Sequence, residues 1–219
     1  MDKEFMTTEE KISKLHTLSI ILFWGALWGI VEATIGYILH ALPFSIPTGS
    51  ILFPIGYYFM HKSYKETKDL KSILYTSAIA AFIKLINLFV PSAQIIRIFT
   101  PSACILFEGL SVTILYKLSE YDEGPMKFIH SLIMSLAWRV GYYLINLIIF
   151  IPLSLAKSSS IFNRDKFIEF FFIHGFINSV IVYFYSKFAA KNNGKLKIKY
   201  NPAFSTSLFI LALVIQYLV

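Results

Sequence analysis

The chain has 219 residues, 56% of them hydrophobic and 15% charged. A soluble domain of this length devotes about a quarter of its residues to charge, because it must present a polar shell to water, and no such shell is encoded here. The net charge of +7 does not point to nucleic acid, since the basic residues are scattered between apolar runs rather than clustered on a polar face.

The length fits one bundle. The expected fold is all-α, a polytopic transmembrane bundle of six or seven helices spanning residues 1–219 as a single unit. Residues 1–16 read as a polar cytoplasmic N-terminal segment and 17–219 as membrane helices joined by short loops. A run of about 17–25 apolar residues, rising 1.5 Å per residue, crosses a hydrocarbon layer of roughly 30 Å.

The first run covers 18–42 and is not followed by a small-residue cleavage site, so it reads as a retained helix. It carries Gly25, Gly29 and Ala33 at four-residue spacing, then Gly36. Such a small-residue ridge lets another helix approach closely. Its occupant is either a helix of the same bundle, the favoured reading, or a docking partner. Glu32 borders the ridge, and Trp24 and Trp28 fall on another face, expected towards lipid or a partner.

The second run, 44–60, is short and interrupted by Pro47, Gly49, Pro54 and Gly56. The Pro- and Gly-rich stretch leading into it, 43–50, reads as an outer loop over a site, because irregular backbone at membrane depth is tolerated where it lines a cavity. The third run, 73–90, places Lys84 and Asn87 on one face. After a polar turn at 92–97, the fourth run, 98–118, has Pro101 in its first turn, where proline is tolerated, and carries Cys104 and Glu108. The fifth, 128–155, carries Arg139 and Asn146 two turns apart on one stripe. A loop at 157–166 could act as a flap. The sixth run, 167–190, carries His174 and Asn178, again on one face, and the seventh covers 203–219.

The basic residues set the orientation. Fourteen Lys fall at the N-terminus and in alternate connections, against four Lys and Arg in the opposite set (Arg97, Lys157, Arg164 and Lys166). The richer side is cytoplasmic by the positive-inside rule, which puts the N-terminus inside and, with seven crossings, the C-terminus outside. The expected location is a plasma or inner membrane.

Charge within a bilayer costs a few kcal/mol per group on insertion scales, so intramembrane charges face protein or a wet cavity. Glu32, Lys84, Glu108 and Arg139 sit near mid-helix, with Asn87, Asn146, Asn178 and His174 at compatible depths. These eight form the candidate ligand-binding set. The two acids and two bases can instead pair as interhelical locks, and the two roles are compatible.

No HExxH, CxxC, GxSxG or Walker A pattern is present, and no aspartate lies within an apolar run. No catalytic residue, metal site or cofactor is expected. A Glu32–His174 dyad is conceivable, but no spacing specifies it, so an intramembrane enzyme ranks last.

The layout of residues 18–190 resembles the substrate-binding (S component) membrane subunits of energy-coupling factor transporters. Those are hydrophobic helical proteins of similar length with a cytoplasmic N-terminus. They dock on a transmembrane coupling subunit through a small-residue motif on the first helix and gate their site with the loop after it. The matching positions are Gly25, Gly29 and Ala33, and the loop 43–50. The chain departs in having glycines where alanines are usual, and in its seventh run. The resemblance implies a small-molecule (vitamin-like or other micronutrient) uptake subunit whose partners are the lipid bilayer, a coupling subunit and its ATPases. The alternative is a structural or assembly subunit of a larger membrane complex.

Overall fold

The computed structural model describes residues 8–41, 48–91, 94–121, 124–154, 163–191, 198 and 200–219. Among these the chain folds into seven helices and no strand: α1 Thr8–Ala41, α2 Gly49–Thr67, α3 Lys71–Phe89, α4 Ile95–Leu118, α5 Phe128–Phe150, α6 Arg164–Lys191 and α7 Pro202–Leu218. The last turn of α3 tightens to a 3₁₀ turn, α5 ends in a π turn at Asn146–Phe150, and α6 carries a π turn at Glu169–Ile173. The loop expected to cover a site lies outside the described residues at 43–47, as does the flap at 157–162.

Five of the helices are long and apolar enough to cross a membrane (α1, α3, α4, α5 and α6), and α7 is a shorter apolar helix. Their outward faces are greasy: Leu106, Leu110 and Ile114 on α4, Ile133, Val140 and Leu144 on α5, and Ile177, Ile181 and Phe184 on α6 are all exposed. Contiguous apolar surface on this scale has no counterpart in water-soluble monomers. The chain is a multi-pass membrane protein.

Packing closes a ring in the order α1, α3, α4, α5, α6, α2 and back to α1, with α7 leaning on α1 from outside. The small-residue ridge is used inside this ring. A β-carbon placed at Gly25 would lie 2.7 Å from Ile79 Cβ, and one at Gly29 would lie 2.5 Å from Ile83 Cδ1, so α3 sits directly on the α1 backbone. Close approach of this kind maximises dispersion where no hydrophobic effect drives helices together. The face of Gly25 and Gly29 is therefore covered by the chain itself and is not open to a docking partner.

Three further expectations are corrected. Trp24 and Trp28 do not face lipid: both are buried, and Trp28 lies so close to Gly56 of α2 that a β-carbon there would meet its ring at 2.5 Å. The second helix is not broken by Pro54 but runs unbroken from Gly49 to Thr67. Proline has no N–H to offer the carbonyl four residues back, which here is Ser50, and Asn178 Nδ2 on α6 donates to that carbonyl instead at 3.2 Å. Pro101 is not in the first turn of its helix, because α4 begins at Ile95. It lies in the second turn, where it withholds the usual donor from the Arg97 carbonyl.

Candidate functional site

A cavity of about 960 Å³ opens at one end of the bundle. Its wall draws on the C-terminal halves of α1 (Glu32, Gly36), α3 (Lys84, Asn87), α5 (Tyr142) and α7 (Gln216), on the N-terminal halves of α2 (Leu52), α4 (Arg97) and α6 (Phe170), and, deeper, on the middles of α4 (Glu108) and α5 (Trp138). C-terminal halves from odd helices and N-terminal halves from even ones meet at one end only if successive helices alternate in direction. That is the alternation expected from the distribution of Lys and Arg, and the cavity lies at the end away from the lysine-rich segments.

Four of the eight candidate residues line this cavity: Glu32, Lys84, Asn87 and Glu108. Ala33 of the ridge also reaches the wall. Glu32 and Glu108 are 5% and 3% exposed. Trp28 Nε1 donates to Glu32 Oε1 at 3.3 Å, which fixes one carboxylate oxygen against the α1 surface. Glu108 Oε2 has no hydrogen-bond partner, and neither have Asn87 Oδ1, Gln216 Oε1 and Trp138 Nε1, all on the same wall. A buried polar atom without a partner costs about 1–3 kcal/mol, and several of them belong to residues of this one concave surface.

The expected ion-pair locks do not form. Among the described residues the one ion pair within 4.0 Å joins His174 to Glu169, at 3.4 Å. Lys84 is close enough to Glu32 for their charges to act on one another, without contact. Arg139 is fully buried behind the wall rather than on it. Its guanidinium donates to the carbonyls of Phe170 and Ser135 and to Asn178 Oδ1. It stacks 4.4 Å from the Trp138 ring centroid and 5.1 Å from that of Phe170. Arg139 thus holds two of the wall's aromatic rings. Asn178 links it to the start of α2 through the Ser50 carbonyl.

Asn146 and His174 stand apart from the cavity. Asn146 Nδ2 donates back to the Tyr142 carbonyl one turn earlier, and His174 pairs with Glu169 on its own helix. Their positions share the depth of the site but not its direction.

Sequence reading passed over several wall residues. Gln216 left a usable signal, as the lone amide side chain in the apolar stretch 208–219. Gln94 and Arg97 belong to the polar turn already noted, and both reach the wall. Trp138, Tyr142 and Phe170 left none, in a chain with 21 Phe and 13 Tyr.

The opposite end is closed by an aromatic cluster around His61, which is 3% exposed. His61 Nδ1 lies 3.0 Å from the Tyr116 hydroxyl, which lies 2.8 Å from that of Tyr57, and Tyr185 packs edge-on against the imidazole. Trp24 Nε1 donates to the Tyr200 hydroxyl nearby. Burial, with the Glu66 charge beside it, pushes the Tyr200 phenol up to about 12.

Comparison of the chain with protein-family models, with curated proteins and with solved structures finds no match. Function must be read from the cavity itself.

Proposed function

We propose that this protein is a membrane-embedded binding and uptake subunit for a small molecule, energised by a separate partner. One observation carries the reading: a cavity of about 960 Å³ at one end of the bundle, walled by buried polar atoms with no partner in the protein. Ligand sites of this kind span about 300–1,000 Å³ and set a few polar groups in an apolar lining. The positive-inside count puts the mouth on the outer face, where a molecule to be imported is met first.

Below the cavity the bundle is packed solid by Trp28, Phe53, Tyr57 and Tyr116, each no more than 1% exposed. Passage to the inner face therefore needs the helices to move. The chain has no nucleotide-binding motif to drive such motion, which favours a partner such as a transmembrane coupling subunit with its ATPases. Because α3 covers Gly25 and Gly29, that partner would dock on another surface, such as the exposed apolar faces of α4, α5 and α6.

The test is purification from a plasma or inner membrane in mild detergent, followed by mass spectrometry of bound small molecules and co-purifying proteins. A small molecule retained at one per chain supports the reading. A fixed set of foreign subunits and no ligand would move the protein to the structural-subunit class.

A further inference from the structure

We propose that the cavity's ligand carries a cationic nitrogen with N–H donors, which seats on Glu108, and an aromatic or apolar body, which lies against Trp138, Tyr142 and Phe170. The inference rests on the binding role proposed above and names the chemical class of the ligand.

The first support is Glu108 itself. The residue is 3% exposed, its Oε2 has no hydrogen-bond partner, and no basic side chain of the described residues comes within 4.0 Å. A buried carboxyl with no cation in contact takes up a proton rather than hold its charge, and a donor cation lets it ionise and meets its hydrogen-bonding need.

The nearby bases are otherwise engaged. Arg139 directs its guanidinium to two carbonyls and Asn178, behind Trp138. Lys84 and Glu32 act on one another at a distance, as do Arg139 and Glu108. Arg97 is exposed towards the mouth. No basic side chain therefore touches the Glu108 carboxyl.

The second support is the remaining unpartnered atoms. Asn87 and Gln216 each bring an amide whose oxygen has no partner, able to accept from a ligand's N–H groups, and Trp138 Nε1 adds a donor. An anionic ligand seated at the same place would instead set a negative charge against the Glu108 carboxyl in a medium of low dielectric.

The third support is aromatic. Trp138, Tyr142 and Phe170 line the same cavity. Ring faces attract cations by about 0.5–2 kcal/mol and also stack with flat ligand bodies. Arg139 already stacks on Trp138 and Phe170 from behind, which fixes their orientation.

The test uses the full-length protein in detergent and three probes of one shape: phenethylamine (cationic), phenethyl alcohol (neutral) and hydrocinnamate (anionic). Binding is read from tryptophan fluorescence and from the rise in thermal midpoint. Phenethylamine should bind, hydrocinnamate should not, and Glu108→Gln should weaken phenethylamine about ten- to a hundredfold, the effect of one charged hydrogen bond. If Glu108→Gln does not fold, Gln216→Met on the peripheral α7 should give a smaller loss of the same sense.

Equal affinity of phenethylamine for wild type and Glu108→Gln overturns the assignment. So does preferred binding of hydrocinnamate or the alcohol; if Gly36→Phe, which adds a ring at the cavity wall, abolishes that binding, the cavity role stands and only the cationic class is lost. If no probe binds, the cationic class is likewise rejected, and the cavity role is then decided by the co-purified small molecule alone.

Discussion

Asn178 on α6 donates Nδ2 to the carbonyl of Ser50 at 3.2 Å, serving the one helical acceptor that Pro54 leaves empty. The same amide accepts from Arg139 through Oδ1. A single side chain therefore joins the proline-bearing turn of α2 to the guanidinium that backs the cavity's aromatic wall. Within a bilayer no water can take over such a carbonyl, so the proline of α2 and the asparagine of α6 depend on each other.

The first expected outcome follows from that dependence. Asn178→Leu removes a donor and an acceptor from buried partners and should cost about 2–4 kcal/mol, the sum of two desolvated groups. Adding Pro54→Ala restores a backbone N–H for Ser50 and should recover about 1 kcal/mol of it. Thermal midpoints of the two single variants and the double variant form the cycle. Strict additivity would show that the two residues are not linked.

The ridge on α1 gives a second. Gly29→Leu forces a side chain into Ile83, which a β-carbon alone would approach at 2.5 Å. It should lower the thermal midpoint sharply or prevent folding, and Ile83→Ala should restore part of the loss. At Gly36 the same β-carbon meets nothing closer than Leu52 Cδ1 at 4.0 Å, so Gly36→Leu should fold like the wild type. A normal midpoint for Gly29→Leu would contradict the α1–α3 packing.

At the opposite end, Tyr116→Phe removes a hydroxyl that lies 2.8 Å from Tyr57 and 3.0 Å from His61. With both partners buried, the expected loss is about 1–3 kcal/mol. Ligand binding in the distant cavity should not change. A loss of binding with unchanged stability would mean that the two ends are coupled rather than independent.

Orientation is tested with cysteines on a Cys104→Ser background. Asp69→Cys, between α2 and α3, should react with an impermeant thiol reagent only from the cytoplasmic side. Ser154→Cys, after α5, should react only from outside. Both positions are exposed. The reverse pattern would invert the bundle and place the cavity mouth on the cytoplasmic face.

The bundle was legible because a bilayer forces the backbone into helices and their surfaces into apolar runs, and both constraints are written directly in composition. Helix ends were less so. The first turns of α1 and the stretch from His61 to Thr67 are polar yet helical, and polarity reads as loop when hydropathy is the guide. Glu32, Lys84, Asn87 and Glu108 stood out because charge and amide groups are costly at their depth. Spacing could show that Arg139 shares a stripe with Asn146, and His174 with Asn178. It could not show how each helix is rotated about its axis, and that rotation separates Glu108 on the wall from Arg139 behind it. The ion pairs failed for the same reason: balanced charges on different helices need not meet. The alternation of helix direction, by contrast, was carried by the lysines and is visible in which helix halves form the wall.

The central claim is that the cavity at this end of the bundle holds a small molecule, and the most direct measurement is native mass spectrometry of wild type and Gly36→Phe prepared side by side in mild detergent. A β-carbon at Gly36, on the cavity wall, meets nothing closer than Leu52 Cδ1 at 4.0 Å, so the variant should keep its thermal midpoint. The expected result is a small-molecule adduct at one per chain in the wild type that is missing from Gly36→Phe. An adduct retained unchanged in a folded Gly36→Phe, or no adduct in either, would contradict the assignment of this cavity as the binding site.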